Sequence, residues 1–425
     1  MGQHYLVADV GGTNTRIALA NDGKLQTQTI HRYRNIDQSG VVGTLQKYLT
    51  EHAPETRLDA VCIDVAGPVG NDEGQLTNLD WTVTSAELCA ATGAKFGAIL
   101  NDMQAQGMAL SHLPSTAFNS ILKGTAQSGN RMVVNIGTGF NSAVVLGEGP
   151  KLTVPGSETG HVNLPVPSPK IYELHQFLTE RFGFASAEEV LSGRGLGHIY
   201  GFLAGLDPRQ PLPSSHHIMS NLHSDPHARK SVDIMLEVLG CVCGNLALTH
   251  LPFGGIYLVG GMAQVLADYY HDSAFHRAFV AKGRFAEFMD QFSVHLLQDD
   301  HAPLVGVLLE RPRREHQHIK GLAAIEALEK AEAKLADLSD PSRPAPVSKK
   351  VGPVVESDRI AAAKAEVIRL VEMNKQKEAA AAVVAVEEPT VIVEETIVVA
   401  EEIPVAVEET TADTNTPTDE LSPLA

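Results

Sequence analysis

Cysteine, tryptophan and long apolar runs are scarce in this sequence of 425 residues, which contains four cysteines and one tryptophan. The cysteines stand in apolar surroundings at spacings that match no disulfide framework, so we expect a reducing compartment. No uninterrupted apolar run reaches the roughly 18 residues of a membrane span, and the first one is short and contains Asp9, unlike a secretory leader. The sequence therefore predicts a cytoplasmic protein without a membrane partner.

Positive charge is also in short supply. The formal net charge is −18, and this disfavours nucleic acid as a partner because the phosphate backbone attracts basic surfaces. The excess of acidic over basic side chains is unevenly distributed, since the residues from Glu326 onward include 21 acidic and 10 basic side chains. The part of the chain before Glu326 has the mild acidity of an ordinary soluble enzyme.

Two common nucleotide-binding signatures are missing. The sequence contains no Gly-Lys-Ser or Gly-Lys-Thr, so a Walker A loop is excluded. The series Gly193, Gly195 and Gly197 approaches the dinucleotide fingerprint, but His198 stands where that fingerprint requires its third glycine. A nucleotide site in this chain must use other residues.

Residues 1 to about 325 alternate between strand-like and helical segments. Short runs rich in Val, Ile and Ala predict strands at "HYLVADV", "RIALA", "AVCIDVA", "FGAILND", "RMVVNIGT" and "GIYLVGG". Apolar residues that recur at intervals of three and four residues predict helices at "GVVGTLQKYLTEH", "TSAELCAATG", "IYELHQFLTERFG" and "RKSVDIMLEVLGCVCGNLALTHL". Ser186, which precedes two glutamates, is typical of a further helix start. Such alternation predicts an α/β protein.

Residues 330–425 differ in character. Pairs of glutamate recur every seven residues at 387–388, 394–395, 401–402 and 408–409, separated by Val, Ile, Pro and Thr. Pro389 and Pro404 argue against a coiled coil. We expect a low-complexity, mostly disordered acidic tail, and the alternative is a docking segment for an unknown partner.

Three glycine-rich turns each follow a predicted strand. A single such turn is most simply a tight bend, but three of them favour a phosphate site, because backbone N–H groups can approach an anion closely there. A carboxylate beside the first turn could hold Mg²⁺ directly or through water, which makes Asp9 the candidate. The candidate phosphate-binding residues are Asp9, Gly11, Gly12, Thr13, Asn14, Gly137, Thr138, Gly139, Gly260 and Gly261.

Polar residues at the ends of other segments leave alternatives open. Asp102 follows a strand, where it could face a ligand crevice or cap the next helix. Glu158 and His161 stand three apart, a spacing compatible with metal binding, with a structural histidine, or with recognition of vicinal hydroxyl groups. Cys241 and Cys243 favour a buried helix face over a zinc site, and the histidines at 216, 217, 223 and 227 favour a solvated loop.

In combination these segments resemble the bacterial glucokinases, within the superfamily of actin-like proteins, sugar kinases and heat-shock ATPases. The resemblance covers roughly residues 4–325. It is carried, in order, by "LVADVGGTNTRIAL", "LTNLDW", "ILNDMQAQGMAL", "IGTGFNSAVV", "PGSETGHV", "SAEEVLSGRGLGHIY", "GGIYLVGGM" and "FHRAFVAKGRF".

The resemblance implies a two-domain, ribonuclease H-like fold with an interdomain cleft. A small α/β domain would span residues 1–110 and be completed by a returning helix at 303–325, and a large α/β domain would span 111–302. It also implies ATP and Mg²⁺ as cofactors, glucose as the substrate, and a homodimer as is common among relatives.

The resemblance assigns roles to individual residues. Asp102 would be the catalytic base that accepts the proton of the sugar hydroxyl. Glucose would be bound by Asn78, Asn101, Glu158, His161 and Glu188. Glu188 rather than Glu189 fits the Ser-Ala-Glu spacing of the family.

The sequence also departs from the family pattern. Asn141 stands where a glycine usually follows the second turn, and Ser157 and Thr159 flank Glu158 in place of smaller residues. Two rival functions are phosphorylation of another hexose (mannose, fructose or glucosamine) and non-catalytic sugar sensing. Against sensing stand the absence of a helix-turn-helix before residue 4, the acidic charge and the presence of Asp102.

Overall fold

The computed structural model describes residues 2–312, except Asn71, Ala126, Gln127, Pro208, Asp272 and Ser273, together with Lys330. Residues 2–312 belong to a compact unit that spans Met1–Glu326. The acidic tail expected over 330–425 and its docking alternative lie outside the described residues, apart from Lys330.

The first sheet is built around a hairpin and two parallel strands. Strand β1 pairs antiparallel with β2 and parallel with β5, which in turn pairs parallel with β9. The order is β3-β2-β1-β5-β9, and β4 also pairs with β2. The strands are β1 (His4–Val10), β2 (Asn14–Asn21), β3 (Lys24–Leu25), β4 (His31–Arg34), β5 (Ala60–Val65) and β9 (Phe96–Asn101).

Both faces of this sheet are covered, because successive side chains of a strand point to opposite sides. Leu6, Ala8 and Val10 of β1 pack on the side of helices α1 (Val41–His52) and α2 (Ser85–Thr92). On the other side, Tyr5 and Val7 pack with a helix over residues 302–312. By the same alternation, the Asp9 side chain is on the face of the sheet that carries Tyr5 and Val7. A small sheet follows β5, with strands β6 (Val69–Gly70), β7 (Glu73–Gln75) and β8 (Thr82–Thr84).

The second sheet repeats the same arrangement. Strand β11 pairs antiparallel with β12 and parallel with β13, and β13 pairs parallel with β14. The order is β10-β14-β13-β11-β12, with β10 antiparallel to β14. These strands are β10 (Phe118–Leu122), β11 (Arg131–Ile136), β12 (Phe140–Val145), β13 (Ile256–Val259) and β14 (Val294–Leu297).

Helices cover both faces of the second sheet as well. One face carries the largest apolar cluster, to which α4, α5, α7 and α9 contribute. Helix α3 (Asp102–Ala109) packs Met103, Met108 and Ala109 on the other face and gives Ala105 to the first sheet's core. The remaining helices are α4 (Pro169–Phe182), α5 (Gly193–Leu203), α6 (Ser215–Ser220), α7 (Pro226–His250), α8 (Gly261–Val265) and α9 (Ala274–Val280).

Helix α7 is long and apolar enough to cross a membrane by length and composition, with a mean hydropathy of 1.6 over its most apolar window. However, 61% of that window is buried inside the protein. Cys243 is fully buried and Cys241 almost so, which agrees with the expected helix core. These are the properties of a core helix.

The mixed α/β class expected from the sequence is confirmed. The returning helix expected at 303–325 is described only as far as residue 312, and its apolar side chains Leu304, Val307 and Leu308 pack on the first sheet. The helix start expected at Ser186 is wrong. Helix α5 begins at Gly193, where the Ser192 hydroxyl accepts a hydrogen bond from the Gly195 N–H.

Candidate functional site

Most of the predicted site residues line one pocket of about 220 Å³. Of the predicted set, Thr13 and Asn14 are the members that do not line it. The predicted residues that do are Asp9, Gly11, Gly12, Asn78, Asn101, Asp102, Gly137, Thr138, Gly139, Glu158, His161, Glu188, Gly260 and Gly261. Segments separated by more than half of the described chain therefore meet at one place.

Asp9 lies at the carboxyl end of β1, opposite Arg16 in the β1–β2 register. The Arg16 guanidinium donates to the Asp9 carboxylate at 3.1 Å and to the backbone carbonyl of Asp300 at 2.7 Å. Burial raises the pKa of Asp9, while the positive charge of Arg16 counteracts that rise. Arg16 therefore supplies the partner that a carboxylate in an apolar strand requires.

Asp64 was not predicted as a site residue, yet it is the register partner of Asp9 on the neighbouring strand β5. Its side chain is fully buried beside the carboxyl group of Asp9. Burial and the negative charges of Asp9 and Asp102 raise the pKa of Asp64 well above its usual value. Ionisation of Asp64 is therefore disfavoured, because its charge would be buried beside the carboxyl group of Asp9.

Two of the glycine turns are the hairpin turns of the two sheets. In the first, between β1 and β2, the Gly11 N–H donates to the Asn14 carbonyl, which explains why Asn14 shapes the turn without lining the pocket. In the second, between β11 and β12, the Gly137 N–H donates to the Gly139 carbonyl. The hydroxyl oxygens of Thr13 and Thr138 lie 3.4 Å apart, so the two turns are in contact.

The third turn, after β13, requires glycine at position 260. Gly260 has a φ of +96°, and a Cβ there would clash with the Asn135 side chain and lie 2.6 Å from the Ile136 carbonyl oxygen. L-residues with side chains rarely adopt this conformation. Gly260 therefore lets β13 end close against the β11–β12 turn.

Asn101 and Asp102 divide two roles between them. Asn101 caps α3, because its side-chain oxygen accepts the Met103 N–H at 3.0 Å, and its amide donates to the Gly67 carbonyl at 2.9 Å. The capping alternative considered for Asp102 thus belongs to Asn101. Asp102 is the first helical residue and lines the pocket, and one of its carboxylate oxygens also accepts the Met103 N–H at 2.9 Å.

The Asp102 carboxyl has a strongly shifted pKa. Burial together with the charges of Asp9 and Glu158 raises its pKa to about 7, although the Met103 N–H opposes the shift. A base whose pKa lies near neutral pH is suited to accept a proton and release it again. A carboxyl group with this pKa could act as a general base near neutral pH.

Glu158 and His161 lie in the irregular segment after β12, where Glu158 precedes a short helical turn at Thr159–His161. Partial burial and the charge of Glu188 raise the pKa of Glu158, while His161 counteracts the rise. In the described part of the chain, no group of three or more His, Cys, Asp or Glu residues could hold a metal ion. The metal alternative for Glu158 with His161 therefore gains no support. The histidines expected in a solvated loop are exposed, but His216 and His217 lie in α6 and His227 lies in the first turn of α7, so the loop expectation is wrong for these three.

Glu188 is anchored by the protein on both oxygens. One accepts the Phe140 N–H at 2.8 Å, and the other pairs with Arg194. Gly139 leaves room for this carboxylate, since a Cβ at that position would lie 2.5 Å from Oε2 of Glu188. Glu189 instead contacts Arg194 and His198 and does not line the pocket, so the geometry separates the two neighbouring glutamates.

Several pocket residues escaped the sequence interpretation. Arg16 and Asn135 carried a usable signal, because each is a polar residue in an apolar strand beside a glycine turn. Asp64, which lies beside Asp9 without lining the pocket, carried the same signal as Asp9. Other lining residues missed were Ala66, Gly67, Thr77, Gln106, Phe140 and Pro303.

The chain is similar to known glucokinases over nearly the whole of the described region. Residues 6–311 match the family model described as Glucokinase. The glucokinase of Stenotrophomonas maltophilia is 32% identical over 317 residues, covering 72% of this chain and 93% of that protein. The glucokinase of Psychromonas ingrahamii is 32% identical over 316 residues, covering 72% and 96%.

Solved structures agree with these relatives. A glucokinase from an Antarctic psychrotroph superposes with a TM-score of 0.61 at 26% identity, covering 72% of this chain and 98% of that one. A ROK family glucokinase from Streptomyces griseus, solved in complex with glucose and AMPPNP, shares the fold with a TM-score of 0.52 at 18% identity, covering 72% and 98%. By its match to the family model and its identity to these relatives, the chain belongs to the glucokinase family.

Proposed function

We propose that this chain phosphorylates D-glucose at the 6-hydroxyl with ATP and releases glucose 6-phosphate. It is an enzyme of the glucokinase family, and glucose phosphorylation is the reaction of that family. The observation that carries the residue-level proposal is the pocket itself, where Asp102 and three glycine turns line the same cavity. Phosphoryl transfer requires a base on one side of the transferred group and anion-binding donors on the other.

Glucose is held by the polar side chains of Asn78, Asn101, Glu158, His161 and Glu188. The anchored carboxylate of Glu188 supports this assignment, because an acceptor fixed by Phe140 and Arg194 recognises a hydroxyl group without reorganising. Asp102 takes the proton of the 6-hydroxyl as that oxygen attacks the γ-phosphorus. The proton leaves Asp102 when the product departs.

The phosphates of ATP lie against the three turns, Gly11–Asn14, Gly137–Gly139 and Gly260–Gly261. The AMPPNP complex of the Streptomyces griseus relative supports a nucleotide in this fold. The residues present fit Mg²⁺, since Asp9 lines the pocket and its carboxylate would hold the ion directly or through water. An ion held there would supply positive charge to neutralise the phosphates.

We further propose that the pocket lies in a cleft between two domains. The first comprises residues 1–110 and the chain that returns from residue 303, and the second comprises residues 111–302. Separate apolar cores in the two sheets support this division. Closure of the two lobes excludes water from the transferred phosphoryl group and prevents wasteful hydrolysis of ATP. A cytoplasmic location fits the buried or half-buried free thiols, and a homodimer remains a prediction.

The test is turnover of the purified full-length chain with ATP on glucose, mannose, fructose and glucosamine, measured by a coupled assay for ADP. Glucose is expected to have the highest kcat/KM of the four. A higher kcat/KM for another sugar would identify a different hexose kinase. Calorimetric binding of glucose without turnover of any sugar would identify a sensor and refute the kinase.

A further inference from the structure

The side chain of Asn141 ties β12 to the segment that carries Glu158. Asn141 lines the pocket, and its amide donates to the Ser157 carbonyl at 2.7 Å and reaches a Glu158 carboxylate oxygen at 3.5 Å. Its side-chain oxygen accepts the N–H groups of Thr159 at 3.0 Å and Ser142 at 2.8 Å. One side chain thus bonds to residues on both sides of Glu158.

Hydroxyl groups extend this connection into a small network. The Ser157 hydroxyl donates to the Ser142 carbonyl at 2.7 Å and lies 2.7 Å from the Thr159 hydroxyl, which in turn lies 2.8 Å from the Ser142 hydroxyl. Such mutually supporting hydrogen bonds restrict a segment that has no regular secondary structure. The network therefore limits the movement of the Glu158 backbone.

The same short strand end also anchors the second pocket glutamate. Phe140, the neighbour of Asn141, donates its N–H to Glu188 at 2.8 Å, and the Glu188 N–H donates to the Gly160 carbonyl at 3.0 Å. Glu188 and the segment of Glu158 are therefore bonded to two adjacent residues of β12, Phe140 and Asn141. The spacing of the two carboxylates depends on Asn141 on one side and on the Phe140 backbone on the other.

We propose that Asn141 is a positioning residue that sets hexose selectivity by fixing the Glu158 carboxylate against one sugar hydroxyl. This inference rests on the proposed function, since it needs a hexose in the pocket. A rigid acceptor strongly rejects a sugar that lacks or inverts the matching hydroxyl, because its own hydrogen bond is then left unmade. A mobile acceptor adapts or turns to water, and the discrimination shrinks.

The experiment compares wild type with Asn141→Gly and Asn141→Asp on glucose, mannose and the singly deoxygenated glucoses. In the wild type, one deoxygenated or inverted sugar should show the greatest loss of kcat/KM. In Asn141→Gly the ratio of kcat/KM for glucose to kcat/KM for that sugar should be about tenfold smaller, because the KM for glucose rises. The KM for ATP should stay within about twofold of the wild-type value. Asn141→Asp keeps the side-chain oxygen that accepts hydrogen bonds but loses the amide that donates them. We expect the ratio of kcat/KM between the sugars to fall in this variant too.

The matched control is Asn119→Gly, which places a glycine at an exposed position of strand β10 that does not line the pocket. It should leave every ratio between sugars unchanged. A purely structural role of Asn141 would lower kcat/KM for all sugars by one factor, and unchanged ratios in both Asn141 variants would overturn the inference. Failure of wild type to phosphorylate any hexose would instead refute the proposed function, so the two failures differ.

Discussion

The hydroxyl oxygen of Thr13 lies 3.4 Å from that of Thr138, although 125 positions separate the two residues. Thr13 belongs to the hairpin turn of the first sheet, and Thr138 to the hairpin turn of the second. Each turn presents its backbone beside the other. A phosphate group between the two sheets would receive donors from both.

Replacing either threonine by valine should weaken ATP binding, because valine keeps the shape but removes the hydroxyl donor. We expect the KM for ATP to rise about tenfold in Thr13→Val and in Thr138→Val, with the KM for glucose within about threefold. Steady-state kinetics with each substrate varied would measure this. The control is Thr50→Val on the exposed face of α1, and an unchanged ATP KM in both turn variants would contradict the assignment.

Asp102→Asn removes the base without changing the size of the side chain. The asparagine oxygen can still accept the Met103 N–H, so α3 should remain intact. We expect kcat to fall by about 10²–10⁴-fold, the usual contribution of a general base, with the melting temperature unchanged or higher. Asp37→Asn, at an exposed position, is the control. Activity within tenfold of wild type would show that Asp102 is not the base.

The pH dependence should follow the pKa of Asp102, which lies near 7. Its protonated form predominates below that pH and cannot accept the hydroxyl proton. We therefore expect kcat/KM for glucose to fall tenfold per pH unit below pH 7 and to level off above it. The residual activity of Asp102→Asn should lose this limb. A wild-type profile that is flat from pH 5.5 to 8 would exclude a base with this pKa.

Gly260→Ala should destabilise the protein. The substitution puts a side chain on a residue with a φ of +96° and drives its Cβ against Asn135 and the Ile136 carbonyl. We expect a loss of about 2 kcal/mol or more in the free energy of unfolding, measured by chemical denaturation. The matched comparison is Gly261→Ala, where a Cβ meets nothing within 4 Å and stability should be nearly unchanged. Equal stability of the two variants would argue against the close packing of this turn.

Much of the site could be predicted because its parts are local. The strand before Gly11 and Gly12, the acid at position 9 and the polar pair at 101–102 are each readable within a few residues. The prediction of a helix start at Ser186 was wrong because contacts with distant residues decide the structure there. Ser186 and the following glutamates have the local composition of a helix cap. However, Glu188 accepts a hydrogen bond from the Phe140 N–H, and Ser192 caps α5 instead.

The amino-acid sequence by itself determined the alternation of strands and helices, the glycine turns and, through resemblance, the family, since all of these depend on residue type and short spacing. Only the tertiary structure decided which side chains share the pocket. It paired Asp9 with Arg16, placed Asp64 beside Asp9 and bonded Asn141 to the segment of Glu158. Such contacts join distant positions through sheet register and helix packing, and local spacing carries no record of either.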